Sequence, residues 1–278
     1  MKGLKFLYKT PLILTMSAVL MGCNTAKQEQ SNKDTATQEK STEKNTQWSY
    51  EGTTGPEHWG ELKPEYKMCL NGQEQSPIDI KAEQIKSTVE DANHLQINYQ
   101  PISFSIKNNG HSIEGKANSS DDYLTLGESR YTLKQFHFHT PSEHQFEGKH
   151  ADMELHLVHQ NDQGQLAVVG IMIKEGQKNE GFAEMWENLP NSKNSQGDVQ
   201  HTIDVKQLLP SDHSSFRYMG SLTTPPCTEN VQWIVMKQTI EMSKKQIETY
   251  HKLFPTNNRP VQPINGREVS QTQGIVGI

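Results

Sequence analysis

In the stretch KQFHFHTPSEH, residues 134–144, three histidines and a glutamate fall within eleven residues. Side chains alternate across a strand, so Gln135, His137 and His139 share one face and Phe136 and Phe138 the other. Two imidazoles on one face can grip one metal ion while the phenylalanines pack behind them. A second run, ELHLVH at 154–159, repeats the arrangement: Glu154, His156 and Val158 face one way, Leu155 and Leu157 the other. A neighbouring strand in register would bring His156 to the same ion. Three neutral imidazoles leave zinc one open tetrahedral position, which marks a catalytic rather than a structural site. Each ligating histidine needs its other ring nitrogen held. Gln135 and Glu154, each two residues before a ligand and on its face, can hold it. Any one of these histidines alone would read as a solvated or satisfied core residue; the matched polar residues on two separate strands weigh against that.

The segments around them are short and β-rich: LQINY (95–99), ISFSIK (102–107), YLTL (123–126), LKQFHFH (133–139), MELHLVH (153–159) and LAVVGIMIK (166–174). Turn signals separate them, NNG at 108–110, SSDD at 119–122 and NDQG at 161–164. Two segments read as helices. One is 179–188, stopped before Pro190; the other is 244–254, opened by a capping box of Ser243 and Gln246 and ended by Pro255. No internal repeat is visible. The pattern predicts one β-dominated domain over residues 48–278 with a few peripheral helices.

The chain has 278 residues, twelve histidines and three cysteines, with a formal charge of -6. That mild charge argues against a nucleic-acid partner. Lys2, Lys5 and Lys9 precede an apolar run at 10–21 that is shorter than the roughly 20 residues a membrane span needs. The run ends in LMGC, residues 20–23, which resembles a bacterial lipobox. The expectation is a signal peptide over 1–23, with lipid on Cys23. Residues 24–47 contain no Leu, Ile, Val, Phe, Met or Trp, and four lysines balance four acidic residues. Such a segment cannot bury a core and reads as a disordered polar tether, spanning on the order of 25 to 30 Å. The chain is thus expected to be an exported lipoprotein tethered to a membrane. If Cys23 carries lipid, Cys69 and Cys227 remain; in an exported domain a disulfide is the expectation, with two buried free thiols as the alternative.

The spacing His137, His139, Glu143, Gly148 also matches the first cupin motif, in which the glutamate is itself a ligand. The next strand-borne histidine, His156, lacks the Pro-x-Gly setting a cupin would give it. The wider chain is similar to α-class carbonic anhydrases from about Trp48 to its C-terminus. WSYEG, GPEHWG, QSPIDI, NNGH, FHFHTPSEH, ELHLVH, LAVVGI, GSLTTPPCTE and RPVQP occur in that family's order. The resemblance implies a mainly β (α+β) single domain with a large, twisted, mostly antiparallel central sheet and short peripheral helices. It implies zinc-dependent, reversible hydration of carbon dioxide to bicarbonate and a proton. His137, His139 and His156 would hold one Zn2+, with Gln135 and Glu154 as their partners. Thr223 would accept a hydrogen bond from the attacking hydroxide and donate to Glu143. Val158, Val168, Leu222, Thr224 and Trp233 would line the substrate pocket. His111 would shuttle protons, and Tyr50 and Asn109 would order water beside it. Exported members of the family often bridge the positions of Cys69 and Cys227. Primary sulfonamides and small anions would inhibit.

One residue departs from the family pattern. An amide is usual three residues after the shuttle histidine, and Glu114 stands there. Strand parity places Glu114 opposite to His111; if it faces the cleft, its charge should raise the pKa of His111. A non-catalytic zinc-binding or adhesive surface lipoprotein is the alternative outside enzymes. Retention of His137, His139, His156, Glu143 and Thr223 together argues against it.

Overall fold

A computed structural model describes residues 47–89, 95–193 and 196–272. The expected signal segment, Cys23 and nearly all of the expected tether lie outside the described residues. Nearly all of the described strands belong to one 13-stranded sheet. Ten strands form its main path: β1 (Ile85–Val89), β2 (Pro101–Asn108), β3 (Ile113–Ala117), β4 (Ser129–His139), β5 (Met153–Gln160), β6 (Leu166–Glu175), β7 (Gln196–Asp204), β8 (Ser215–Ser221), β9 (Glu229–Met236) and β10 (Val269–Thr272). Their order across the sheet is β7-β2-β3-β4-β5-β6-β9-β8-β10-β1. Most neighbours are antiparallel; β6 with β9 and β10 with β1 run parallel. The expected strands are all present. The 179–188 segment is shorter than expected, a 3-10 turn at Glu180–Phe182 leading into α1 (Ala183–Glu187). The capping box on α2 (Lys244–Leu253) forms as expected, with Gln246 N donating to Ser243 Oγ and Ser243 N to Gln246 Oε1.

β5 lies mid-sheet and is buried along almost its whole length, so its alternation sorts two apolar environments rather than core from solvent. Leu155 and Leu157 join Phe136, Phe138, Ile171 and Trp186 in the main core on one face. Val158 joins Val168, Trp233 and Val235 in a smaller cluster on the other. The polar residues of β4 and β5 open onto that second face. Behind them, edge-to-face stacking of Phe138 with Phe182 and Trp186, both pairs at 5.0 Å between centroids, stiffens the strand that carries His137 and His139.

Candidate active site

β4 and β5 pair antiparallel with His137 directly opposite His156 and His139 opposite Glu154. Directly opposite residues share a face, so the register alone gathers three histidines. Their ligand atoms lie within 4.8 Å of one another. Each ring has its other nitrogen engaged. His137 Nδ1 lies 2.8 Å from Gln135 Oε1, His139 Nδ1 2.6 Å from the carbonyl of Asn257, and His156 Nε2 2.9 Å from Glu154 Oε1. Those partners are acceptors, so these nitrogens carry the protons. His137 and His139 are left to present Nε2 and His156 to present Nδ1, all unprotonated. His139 Nε2 is buried with no hydrogen-bond partner, an expensive orphan unless an ion takes it. Burial lowers the pKa of all three rings, that of His139 to about 4, and so keeps them in the neutral form a metal requires. The donor set fits a zinc ion.

Glu154 is fully occupied. Its Oε1 accepts from His156 and from His144 Nδ1 at 2.8 Å, and its Oε2 accepts the backbone N–H groups of Glu143 and His144, both at 2.8 Å. Burial alone would raise its pKa, but His144 and His156 together hold it well below the usual carboxylate range. His144, Glu154 and His156 also cluster closely, yet these contacts satisfy one another and leave no second metal position. A Cβ at Gly170 would come within 2.8 Å of Glu154 Oε1, so β6 needs glycine at that point.

The two bonds from Glu143 N and His144 N to Glu154 tie the turn after β4 onto β5 and place Glu143. Its side chain is wholly buried. Oε1 accepts the backbone N–H of Arg259 at 2.8 Å, while Oε2 has no closed hydrogen bond. Burial raises the Glu143 pKa to about 7; His156 and the Thr223 hydroxyl pull against that rise. Glu143 falls outside the clustered histidine set, with its Oε2 4.0 Å from His156 Nδ1, and this weighs against the cupin ligand scheme. Thr223 is buried on the loop after β8. Leu222 N to Thr228 O at 2.9 Å and Cys227 N to Thr224 O at 2.8 Å close this loop. Cys227, at φ 56°, is bridged to Cys69. The expected disulfide is thus present, and it anchors the segment that carries Thr223 and the half-buried Thr224. Val158, Val168 and Trp233 form one apolar cluster, with Leu222 packed against it; the Trp233 ring lies 4.9 Å from that of His156.

His111 sits in a bend just before β3. Asn109 Oδ1 accepts the backbone N–H groups of His111 and Ser112, both at 2.8 Å. The Trp48 ring stacks on the His111 imidazole, 3.7 Å between centroids and 13° from parallel, and Tyr50 meets it edge-on at 6.5 Å. Together with Lys193 these residues line a cavity of about 370 Å³. Two expectations are corrected here. β3 begins only at Ile113, so strand parity does not extend back to His111; Glu114 pairs directly with His137 and shares its face. The pKa of His111 is lowered to about 4, by burial first and then by the positive charge of Lys193, rather than raised by Glu114.

Sequence reasoning missed Asn257 and Arg259. Asn257 lies beyond α2 and supplies both the carbonyl for His139 and an amide that donates to the His111 carbonyl at 2.9 Å. The Arg259 guanidinium, buried like its backbone, donates to Gln75 Oε1, Ser76 O and Cys69 O. Arg259 opens the RPVQP stretch, but nothing in the sequence assigned it a role, and Asn257 had only its place directly after a helix stop as a signal. His144 and Tyr218, linked at 2.6 Å beneath Glu154, were missed as well.

The sequence profile of the eukaryotic-type carbonic anhydrase family matches residues 54–273. A carbonic anhydrase of Nostoc sp. is 42% identical over 228 residues, 81% of this chain and 86% of that protein. One from Klebsiella pneumoniae is 42% identical, covering 80% of this chain and 89% of its own. Among solved structures, the α-carbonic anhydrase of Thermovibrio ammonificans in complex with the inhibitor sulfanilamide superposes with a TM-score of 0.78. That match is 42% identical over 81% of this chain and 99% of that one.

Proposed function

From the premise that this chain belongs to the eukaryotic-type carbonic anhydrase family, whose reaction is the reversible hydration of carbon dioxide to bicarbonate, we propose how its residues divide that work. His137, His139 and His156 hold one zinc ion. Zinc, when bound, lowers the pKa of water to about 7, a value known from carbonic anhydrases themselves, so that hydroxide is available at neutral pH. The single observation that carries the assignment is the orphaned, buried Nε2 of His139 facing two other unprotonated imidazole nitrogens.

Glu143 orients the nucleophile through Thr223. Its Oε1 is held by Arg259 N, which leaves Oε2 to accept the Thr223 Oγ1 proton. Thr223 Oγ1 can then only accept from the attacking hydroxide, and that aims a lone pair at the substrate carbon. Val158, Val168, Leu222 and Trp233 present an apolar wall where uncharged carbon dioxide waits without a strong hydrogen bond. Thr224 lines the same site. His111 takes the proton produced by each turnover to the solvent side, with Tyr50 and Asn109 beside its path. The test is carbon dioxide hydration by the purified full-length protein. Activity should vanish with a zinc chelator and return with added zinc; undiminished activity in metal-free protein would defeat the ligand assignment.

The basic, then apolar, then LMGC order at the N-terminus supports lipidation of Cys23 and a membrane-tethered enzyme outside the cytoplasm. Labelled palmitate should enter the wild-type protein in a bacterial host and be absent from Cys23→Ser. Equal labelling of both would refute the anchor.

A further inference from the structure

The strand register sets a charge beside the metal-binding face that carbon dioxide hydration itself does not need. One row crosses four strands: Lys107 on β2 is opposite Glu114 on β3, Glu114 opposite His137 on β4, and His137 opposite His156 on β5. Directly opposite residues in antiparallel strands project on the same side, with Cβ atoms about 4.5–5.5 Å apart. The half-buried Glu114 therefore stands on the sheet face of the clustered histidines, one strand from His137. Two lysines flank Glu114 in the same register. Lys107 is exposed, and so is Lys116, which stands opposite Gln135. Neither lysine is ion-paired with Glu114 among the described residues, and no hydrogen bond engages its carboxylate there. An unpaired carboxylate beside the clustered histidines acts on any charged ligand that reaches them.

We propose that Glu114 makes the cleft select by ligand charge: it disfavours anions, the bicarbonate product and carboxylate-bearing inhibitors included, and favours ligands with a positively charged tail. The inference rests on the carbonic anhydrase reading above. Carbon dioxide is uncharged and enters without opposition, whereas bicarbonate leaves with a push. Glu114 cannot move the equilibrium of the overall reaction, so weaker bicarbonate binding must show as a higher KM for dehydration.

The test uses the zinc-loaded, full-length protein and two benzenesulfonamides, one with a 4-aminomethyl and one with a 4-carboxy group. Their Kd values are measured by calorimetry in wild type and in Glu114→Gln. In wild type the cationic ligand should be preferred, and in Glu114→Gln that preference should fall by about three- to tenfold. The KM for bicarbonate should fall in the same variant. Wild type alone gives a second reading: the preference should shrink between about 20 mM and about 500 mM salt, because salt screens a partly exposed charge. A preference unchanged by both the substitution and salt overturns the proposal. Failure of wild type to bind either sulfonamide would instead overturn the zinc assignment on which it rests.

Discussion

The Nδ1–H of His139 donates to the backbone carbonyl of Asn257 at 2.6 Å, across 118 positions of sequence. The Asn257 side chain fixes that carbonyl in place. Its Oδ1 accepts from Thr140 N at 2.7 Å, and its Nδ2 donates to the carbonyls of Phe138 and His111, both at 2.9 Å. One buried amide therefore ties together His139, the strand that carries it and the bend that holds His111. Asn257→Ala removes these bonds and strands buried backbone groups. Stability should fall by about 2–4 kcal/mol and zinc affinity by about tenfold or more. Urea unfolding and competition with a chelator measure the two effects. Unchanged zinc affinity in a destabilised variant would reduce Asn257 to a packing role.

The three-histidine face was legible before the structure because it depends on local alternation. The period of two in FHFH and ELHLVH sorts histidines from core whatever the rest of the fold does. Gln135 and Glu154 were legible for the same reason, since each sits two residues from its histidine. Asn257, Arg259 and the His144–Tyr218 pair were not, because their contacts join segments that no periodicity relates. Glu114 shows the limit of parity reasoning. Alternation holds only inside a strand, and the bend at His111 and Ser112 breaks the count before β3 begins.

Ligand and gatekeeper should separate cleanly on substitution. His139→Ala deletes a metal donor, so zinc affinity should fall by orders of magnitude and activity with it. Glu143→Gln leaves all three imidazoles in place; zinc should remain bound while hydration slows by about 100-fold or more, since the amide no longer fixes the Thr223 proton. Metal content by mass spectrometry, read beside initial rates, distinguishes the two. If Glu143→Gln sheds zinc as readily as His139→Ala, Glu143 belongs to the ligand set and the assignment is wrong.

The Cys69–Cys227 bridge spans 158 positions and anchors the Thr223 loop to the N-terminal part of the domain. Replacing both cysteines with serine should cost about 2–5 kcal/mol of stability. Activity should drop while zinc is retained, because the loop that orients the nucleophile loosens and the histidines do not. Chemical unfolding with parallel activity and metal assays tests this. Full activity in the double variant would show that the loop's own hydrogen bonds suffice.

Asp122 offers a pH test far from the metal. Its side chain is wholly buried, Oδ1 accepts from Gln100 N at 2.9 Å, and Oδ2 has no partner. Burial, resisted by that N–H bond and reinforced by Asp204 and Asp121, pushes its pKa from 3.8 to about 6. The folded state thus holds a proton that the unfolded state has released between those values, so this group's contribution to stability falls as pH rises from about 4 to about 6. Asp122→Asn keeps the acceptor and cannot ionise. Its stability relative to wild type should be greater at pH 7 than at pH 4.5, measured by urea midpoints at both. An identical difference at the two pH values would mean Asp122 does not titrate in this window.

His111 should act on one half of the cycle only. On the proposed assignment, hydration takes place at the three-histidine centre, whereas regeneration needs a proton to leave past Tyr50 and Asn109. His111→Ala should therefore lower kcat by roughly tenfold to a hundredfold and leave kcat/KM for hydration nearly unchanged. An imidazole buffer should restore turnover in the variant, because it supplies the missing acceptor. The charge on Lys193 gives a finer test. With its pKa held near 4 by burial and by Lys193, His111 is a weak proton acceptor for a donor near pH 7. Lys193→Met removes the second cause, so the pKa of His111 should rise towards the ordinary 6.5. The pH profile of kcat should move with it while that of kcat/KM stays put, and NMR titration of the His111 ring should report the same shift. Equal losses of kcat and kcat/KM in His111→Ala would place His111 in the hydration step and end its assignment as the shuttle.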